Sequence, residues 1–267
     1  MPLTTLHLIA LSPNATPNQF LRALKSFGIR PLVASRPVRW IIKPETLSTS
    51  PLLDTTWDLL IILPASTPLP EVYLNKDWVQ AHWSITAGVP GALLTDFEGK
   101  NARLLHPQSG DVSALTGALE KPRKASSTQG LELNDELLAW SQAFKLGQEG
   151  AVSMLNLLAF HPGKDAHESY LRYGKAFAAS IGKRRGGTAK IVGKVVPRQG
   201  TEGEDGEGWD EVALAHYPSI RHFVDMLASE DYQEVNHRDR LPALRDTCIL
   251  CTTELDPEVV LEEKSKL

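Results

Sequence analysis

Cysteine is nearly absent from this chain of 267 residues: Cys248 and Cys251 are its only two. No disulfide framework is expected, and a zinc site would need further ligands at matching spacing, which no second C-x-x-C supplies. Within DTCILCTTEL the neighbouring Thr, Ile and Leu predict a strand, on which positions three apart face opposite sides. Both thiols are therefore expected to be buried as small hydrophobes. Excess positive charge is missing too. Lys and Arg number 28 against 32 Asp and Glu, a formal net charge of -4, and no basic stripe interleaved with aromatics occurs, so nucleic acid is not an expected partner. No apolar tract approaches the length of a membrane span, and MPLTTLHLIALSPNATP has no basic stretch before its short apolar run; a cytoplasmic protein without a membrane partner is expected. A Ser-His-Asp order, a Gly-rich phosphate loop and a zinc motif are all lacking, so neither a metal site nor a tightly bound cofactor is expected.

What is present divides into two pattern-rich halves. HPQSGDVSALTGALEKPRKASSTQG, with its Ser, Gly, Pro and small basic cluster, reads as a linker over 107–130. The chain then partitions into a first domain over 1–106, the linker, a second domain over 131–257 and a charged tail over 258–267. A second break, PRQGTEGEDGEGWD, carries Glu202, Glu204, Asp205 and Glu207 without an apolar face or the calcium-loop spacing, and reads as a solvated loop.

The second half is the more legible. Asn134 caps a helix, DELLAWSQAFKL, that ends at Gly147. AVSMLNLLAF is a strand ended by His161, Pro162 and Gly163. A helix near 165–184 aligns Tyr170, Tyr173, Phe177 and Ile181, with Lys183, Arg184 and Arg185 at the negative end of its dipole. TAKIVGKVV and DEVALAHY are strands. Ser219 caps a helix with Ile220, Phe223, Val224 and Leu227 on one face, YQEVNHRDRL continues it, and TCILCTTEL closes the unit. The order is βαββαβ, a ferredoxin-like α+β unit.

The first half repeats this order more weakly. TTLHLIAL is a strand, Pro17 begins a helix that Gly28 ends, and LVASRPVRWII and WDLLIILP are strands. KDWVQAHWSI is expected to be a Trp-rich helix before a closing strand, GALLTDF. Trp57-Asp58 opens the third strand here as Trp209-Asp210 opens its counterpart, which suggests an internal duplication. Strands apolar on both faces need a partner on each, so the expected fold is a tandem of ferredoxin-like domains forming a pseudo-dimeric α/β barrel.

VSMLNLLAF, SYLRYGKAFA, WDEVALAHYPS and SEDYQEVNHRDRLPALRD, with the final strand, resemble the "domain of unknown function 1330" family of the dimeric α/β barrel superfamily, over about residues 131–255. The resemblance implies two ferredoxin-like units pressing their sheets into a barrel. The wider superfamily includes cofactor-independent monooxygenases, haem-degrading enzymes, peroxidases and isomerases, so the resemblance does not fix an activity.

Among candidate site residues, Asn156 is an amide within an apolar strand, either bonded to a neighbouring loop or serving a pocket. Adjacent, parallel first and third strands would bring Asn156 to Ala213 and His161 to Tyr217. Glu211 shares a face with Ala213, Ala215 and Tyr217, two alanines leaving room beside a carboxylate that could act as a base. Asn156 and Glu211 are thus the catalytic candidates, in a pocket between the second-half sheet and its barrel partner. Tyr217, Tyr173, His237, Arg238 and His216 are candidate ligand contacts, each with a plainer reading: the tyrosines as core, His237 and Arg238 as a surface turn, His216 as a packed strand histidine. His82, between Trp78 and Trp83, reads as helix packing.

Three functions remain open: an enzyme without a tightly bound cofactor acting on a small apolar or aromatic molecule; a non-catalytic ligand-binding or assembly protein, with further oligomerisation possible; and a haem-binding or haem-degrading protein, which would need an axial histidine.

Overall fold

The computed structural model describes residues 1–108, 110–196 and 208–255. The acidic residues Glu202, Glu204, Asp205 and Glu207 and the 258–267 tail lie outside the described residues. The first half runs β1 (Leu3–Leu11), α1 (Pro17–Ser26), β2 (Val33–Ile42), α2 (Thr49–Leu53), β3 (Leu59–Pro64), β4 (Val79–Gly88), α3 (Gly91–Leu94) and α4 (Phe97–Leu105). The second runs α5 (Asp135–Ala143), α6 (Lys145–Glu149), β5 (Val152–Phe160), α7 (Lys164–Ala176), β6 (Thr188–Val195), β7 (Glu211–Tyr217), α8 (Ile220–Leu227), α9 (Glu230–Val235) and β8 (Leu244–Glu254). No helix among the described residues is long and apolar enough to cross a membrane.

Eight strands close into an antiparallel barrel in the order β1-β3-β2-β8-β5-β7-β6-β4. The four strands of each half are contiguous, and the halves meet at two seams. At one, β2 pairs with β8 from Ser35↔Glu254 to Ile42↔Ile249. At the other, the described pairing of β4 with β6 is limited to Ala87↔Val195 and Gly88↔Lys194. Close approach there is helped by Gly193, where a Cβ would stand 2.9 Å from Val89 Cγ2 and 3.0 Å from Ala87 Cβ.

Alternation sorts each strand into an inward and an outward set. Leu6 and Leu8, Leu60 and Ile62, Trp83 and Ile85, Leu155 and Leu157, Val212 and Leu214, and Cys248 and Leu250 fill the lumen as one core. It leaves a cavity of only about 10 Å³ between Leu6, Ile62, Ile85, Leu155 and Ile191. At one end the lumen turns polar: Lys190 Nζ, buried, bonds Asn101 of α4 at 2.8 Å and pairs with Glu254, whose other oxygen takes Asn101 Nδ2 at 2.6 Å. A separate core lies outside the first-half sheet, where Phe20 and Leu24 of α1 cover Ile9 and Ile61. A third lies outside the second-half sheet, where Tyr173 and Phe177 and the α8 and α9 residues Phe223, Leu227 and Tyr232 cover Met154, Tyr217 and Ile249.

Several local expectations change. KDWVQAHWSI is not a helix: from Val79 onward it is β4, with Val79, Trp83, Ile85 and Ala87 buried on alternate positions. GALLTDF is not a strand but α3 and the start of α4, so the first half has only a 3-10 turn, Glu71–Tyr73, where a second helix was expected. His82 accordingly sits on a strand, 2.9 Å from His7 across the β1–β4 pair. The helix capped by Asn134, whose Oδ1 accepts from Leu137 N at 2.8 Å, breaks at Phe144 rather than at Gly147. The 165–184 helix becomes α7 followed by a π turn, Phe177–Ile181, and a 3-10 turn.

Candidate functional site

Strands β5 and β7 are antiparallel neighbours, not parallel ones. Asn156 does face Ala213, but Tyr217 pairs with Val152 and Glu211 with Leu158, so His161 and Tyr217 lie at opposite ends of the pair. The expected face is also reversed. Leu155 and Leu157 point into the lumen, so Asn156, with Met154, takes the outer face beneath the helices, as do Glu211, Ala213, Ala215 and Tyr217. The expected pocket between the sheets is therefore corrected: large aliphatic side chains and Trp83 fill that space.

The outer face is not sealed. Its Asn156, Glu211, Ala213 and Ala215 stay half-buried although they occupy interior strands, while the lumen-facing Leu155, Val212 and Leu214 are fully buried. Ala213 and Ala215 reach only a methyl group out from the sheet, and the partial exposure of all four residues marks this face, beside α7, as a solvent-accessible cleft. Glu211 stands at its mouth, 14% exposed, with Oε2 3.8 Å from His167 Nε2 of α7. Burial, with a smaller contribution from Asp210, raises the Glu211 pKa to about 7. Asn156 spends one amide hydrogen on Met154 O at 2.9 Å, and among the described residues no donor to its Oδ1 occurs.

Aromatic side chains wall the cleft. Phe160 lies 5.2 Å from both His167 and Tyr170, and Tyr170 is 5.4 Å from Tyr173. Tyr173 and Tyr232 bring their hydroxyls to 3.4 Å, and the Tyr217 hydroxyl points to Met226 Sδ at 3.6 Å. Burial raises the pKa of all four phenols, holding them as neutral donors. Among them sits Arg240, 1% exposed, the last residue of a π turn, Asn236–Arg240, that is fastened to α7 by Ser169 Oγ on Asp239 O at 3.0 Å and Arg172 on the Asp239 carboxylate at 3.2 Å. π turns recur at functional sites because they break the regular helix ladder.

The remaining candidates fall elsewhere. His237 pairs with Glu132 at 3.0 Å on the surface, and Arg238 is exposed and pairs with Asp239 and Glu234, so neither lines a barrel mouth. His216 points to the lumen side, buried, its pKa driven down to about 3 by desolvation and then by Lys190 and His222. Ser219 does not cap α8 with its side chain; its hydroxyl meets His222 Nδ1 at 2.8 Å. Cys248 packs in the lumen and Cys251 beneath the helices, both free and buried. Gln233 and Asn236 are structural: their amides bond Leu131 O and Leu227 O, and Gly130 O. Arg240 and Tyr232 were missed, and His167 was not singled out; a charge directly after a helical run that carries a buried tyrosine was the available signal.

No protein-family model and no curated protein matches the chain. Among solved structures, a protein of unknown function from Rhodopseudomonas palustris is 29% identical and covers 47% of this chain and 97% of its own, with a TM-score of 0.38. A candidate chlorite dismutase covers 97% of this chain and 98% of its own at 9% identity and TM-score 0.46. A candidate monooxygenase from Lactobacillus acidophilus covers 96% and 99% at 7% identity and TM-score 0.40.

Proposed function

We propose that the protein is a small-molecule enzyme whose site is the cleft between β7 and α7, and that its chemistry is proton transfer by Glu211. The observation that carries this reading is the half-buried row Asn156, Ala213, Ala215 and Glu211 under α7. A carboxyl group with a pKa near 7 is populated in both protonation states at neutral pH, which suits it to take a proton from an acidic C–H and return it. The neutral Tyr170 hydroxyl would donate to the oxygen of the resulting enolate, and Asn156 Oδ1 would accept from a substrate hydroxyl. The apolar walls of Phe160 and the tyrosines favour an aromatic or otherwise apolar substrate body.

The barrel itself then serves as scaffold. We read the chain as two ferredoxin-like units in tandem forming a pseudo-dimeric barrel, with the second unit similar to the "domain of unknown function 1330" family. The contiguous strand sets β4-β1-β3-β2 and β8-β5-β7-β6 support it. So do the Trp-Asp pairs: Trp57 and Trp209 are both buried in the lumen core. A crystallographic soak with small neutral aromatics tests the site. Density over Ala213 and Ala215 is expected; fragments settling only in the groove lined by Ser113, Gln148 and Arg221 would refute it.

A further inference from the structure

We infer that Arg240 is an anion receptor, and that the molecule bound in this cleft carries a carboxylate held by its guanidinium. The inference rests on the cleft being the ligand site. Arg240 is buried, yet neither Nη1 nor Nη2 has a hydrogen-bond partner, and no ion pair of its side chain occurs among the described residues. A buried guanidinium is strongly disfavoured unless an anion compensates it.

The chain shows what compensation looks like at its other fully buried arginine. Arg185, 2% exposed, meets Asp225 at 3.2 Å, Asp231 at 3.0 Å and Ile181 O at 2.9 Å. Among the described residues nothing comparable surrounds Arg240. Its sequence neighbour Asp239 is committed to Arg172 and Arg238. Its charge is instead felt by Tyr170, Tyr173, Tyr217 and Tyr232, four neutral phenols that can donate but offer no negative charge.

Arg240 ends the turn that Ser169 and Arg172 fasten to α7, the helix whose His167 faces Glu211. The Tyr170 phenol, which packs against Phe160 and Tyr173, feels the charges of both Arg240 and Glu211. A planar fork of donors matches the two oxygens of a carboxylate. An arylcarboxylate or short apolar carboxylate anchored there would lay its body over Ala213 and Ala215 and present its far end toward Glu211. Arg240 itself closes a π turn, Asn236–Arg240, an irregularity frequent at functional sites.

Thermal denaturation of the full chain with benzoate and its neutral analogue benzyl alcohol tests the inference, with Arg240→Met and Ala213→Trp as variants. Benzoate at ten times its Kd should raise the Tm by about 3 °C, and benzyl alcohol at the same concentration by less than half of that. Arg240→Met should fold with an unchanged or higher Tm without ligand and lose the benzoate shift, because it removes an uncompensated charge. Equal shifts with both probes, both abolished by Ala213→Trp, would leave the cleft standing and overturn the anion receptor. Loss of the native fold in Arg240→Met would also overturn it, by giving the guanidinium a structural task. If neither probe raises the Tm, both cleft and receptor are overturned.

Discussion

Glu211 lies 3.8 Å from His167, a strand carboxylate facing a half-exposed helix imidazole across the mouth of the cleft. The distance is too long for a hydrogen bond, so the histidine does not fix the carboxylate in its charged form. Burial dominates, and the carboxyl titrates near 7.

Stability should therefore fall as pH rises through the window set by that shift. The folded pKa of Glu211 is above its unfolded value of 4.5, so between about 4.5 and 7 the folded state holds a proton that the unfolded state has released. Below that window the group costs nothing, and above it the full penalty applies, on the order of 3 kcal/mol. Glu211→Gln should match the wild type at pH 4 and exceed it in urea denaturation at pH 8. A variant equally stable at both pH values would show that the carboxyl is not held in its neutral form.

Gly193 should resist substitution. A methyl group there meets Val89 and the Ala87 Cβ within 3.0 Å and Gly88 O at 3.1 Å, at the seam where β4 meets β6. Gly193→Ala is expected to cost about 1–3 kcal/mol by overpacking, and amide exchange at Ala87 and Gly88 should accelerate. Unaltered protection there would mean that the seam yields without opening.

The carboxylates of Asp58 and Asp210 do the same task in the two halves. Asp58 accepts Leu11 N at 2.8 Å and Asp210 accepts Phe160 N at 2.7 Å, each at the end of its half's first strand. Asp58→Asn and Asp210→Asn should each lose about 1.5 kcal/mol, the worth of a charge-assisted bond. Lying far apart, they should add in the double variant. A strongly non-additive double variant would contradict two independent clamps.

Removing Arg185 should be far more damaging than removing Arg240. Asp225 is wholly buried and relies on Arg185 and on Thr116, whose hydroxyl donates at 2.5 Å. Arg185→Met would leave that carboxylate uncompensated, at about 3–5 kcal/mol, and Arg185→Met with Asp225→Leu should recover part of the loss. Equal stability of the two single arginine variants would undo the contrast between a compensated and an uncompensated guanidinium.

Much of the second half was legible because its elements announce themselves locally. Asn134 caps as its side chain dictates, α8 presents Ile220, Phe223, Val224 and Leu227 on one buried face, and Cys248 and Cys251 part to opposite sides of β8 as strand geometry requires. In the first half the alternation of Val79, Ala81, Trp83, Ile85 and Ala87 was equally present, but the Lys-Asp start and the tryptophans made it read as a helix.

The sequence by itself determined which segments are strands and helices in the second half, and that Glu211, Ala213 and Ala215 share a face with room beside them, because periodicity acts within one element. Which face becomes lumen was decided only when β2 met β8 and the sheet closed, since β5 is apolar on both sides and either could have turned inward. Arg240 shows the same limit. Seven residues after Tyr232, a regular helix would bring Asp239 to the tyrosine's face; the π turn Asn236–Arg240 adds a residue to the turn, and Arg240 is buried there beside the buried Asp239. That turn is held by Ser169 and Arg172 of α7, partners some seventy residues away in sequence, and local pattern cannot encode a contact that exists only after the chain has folded.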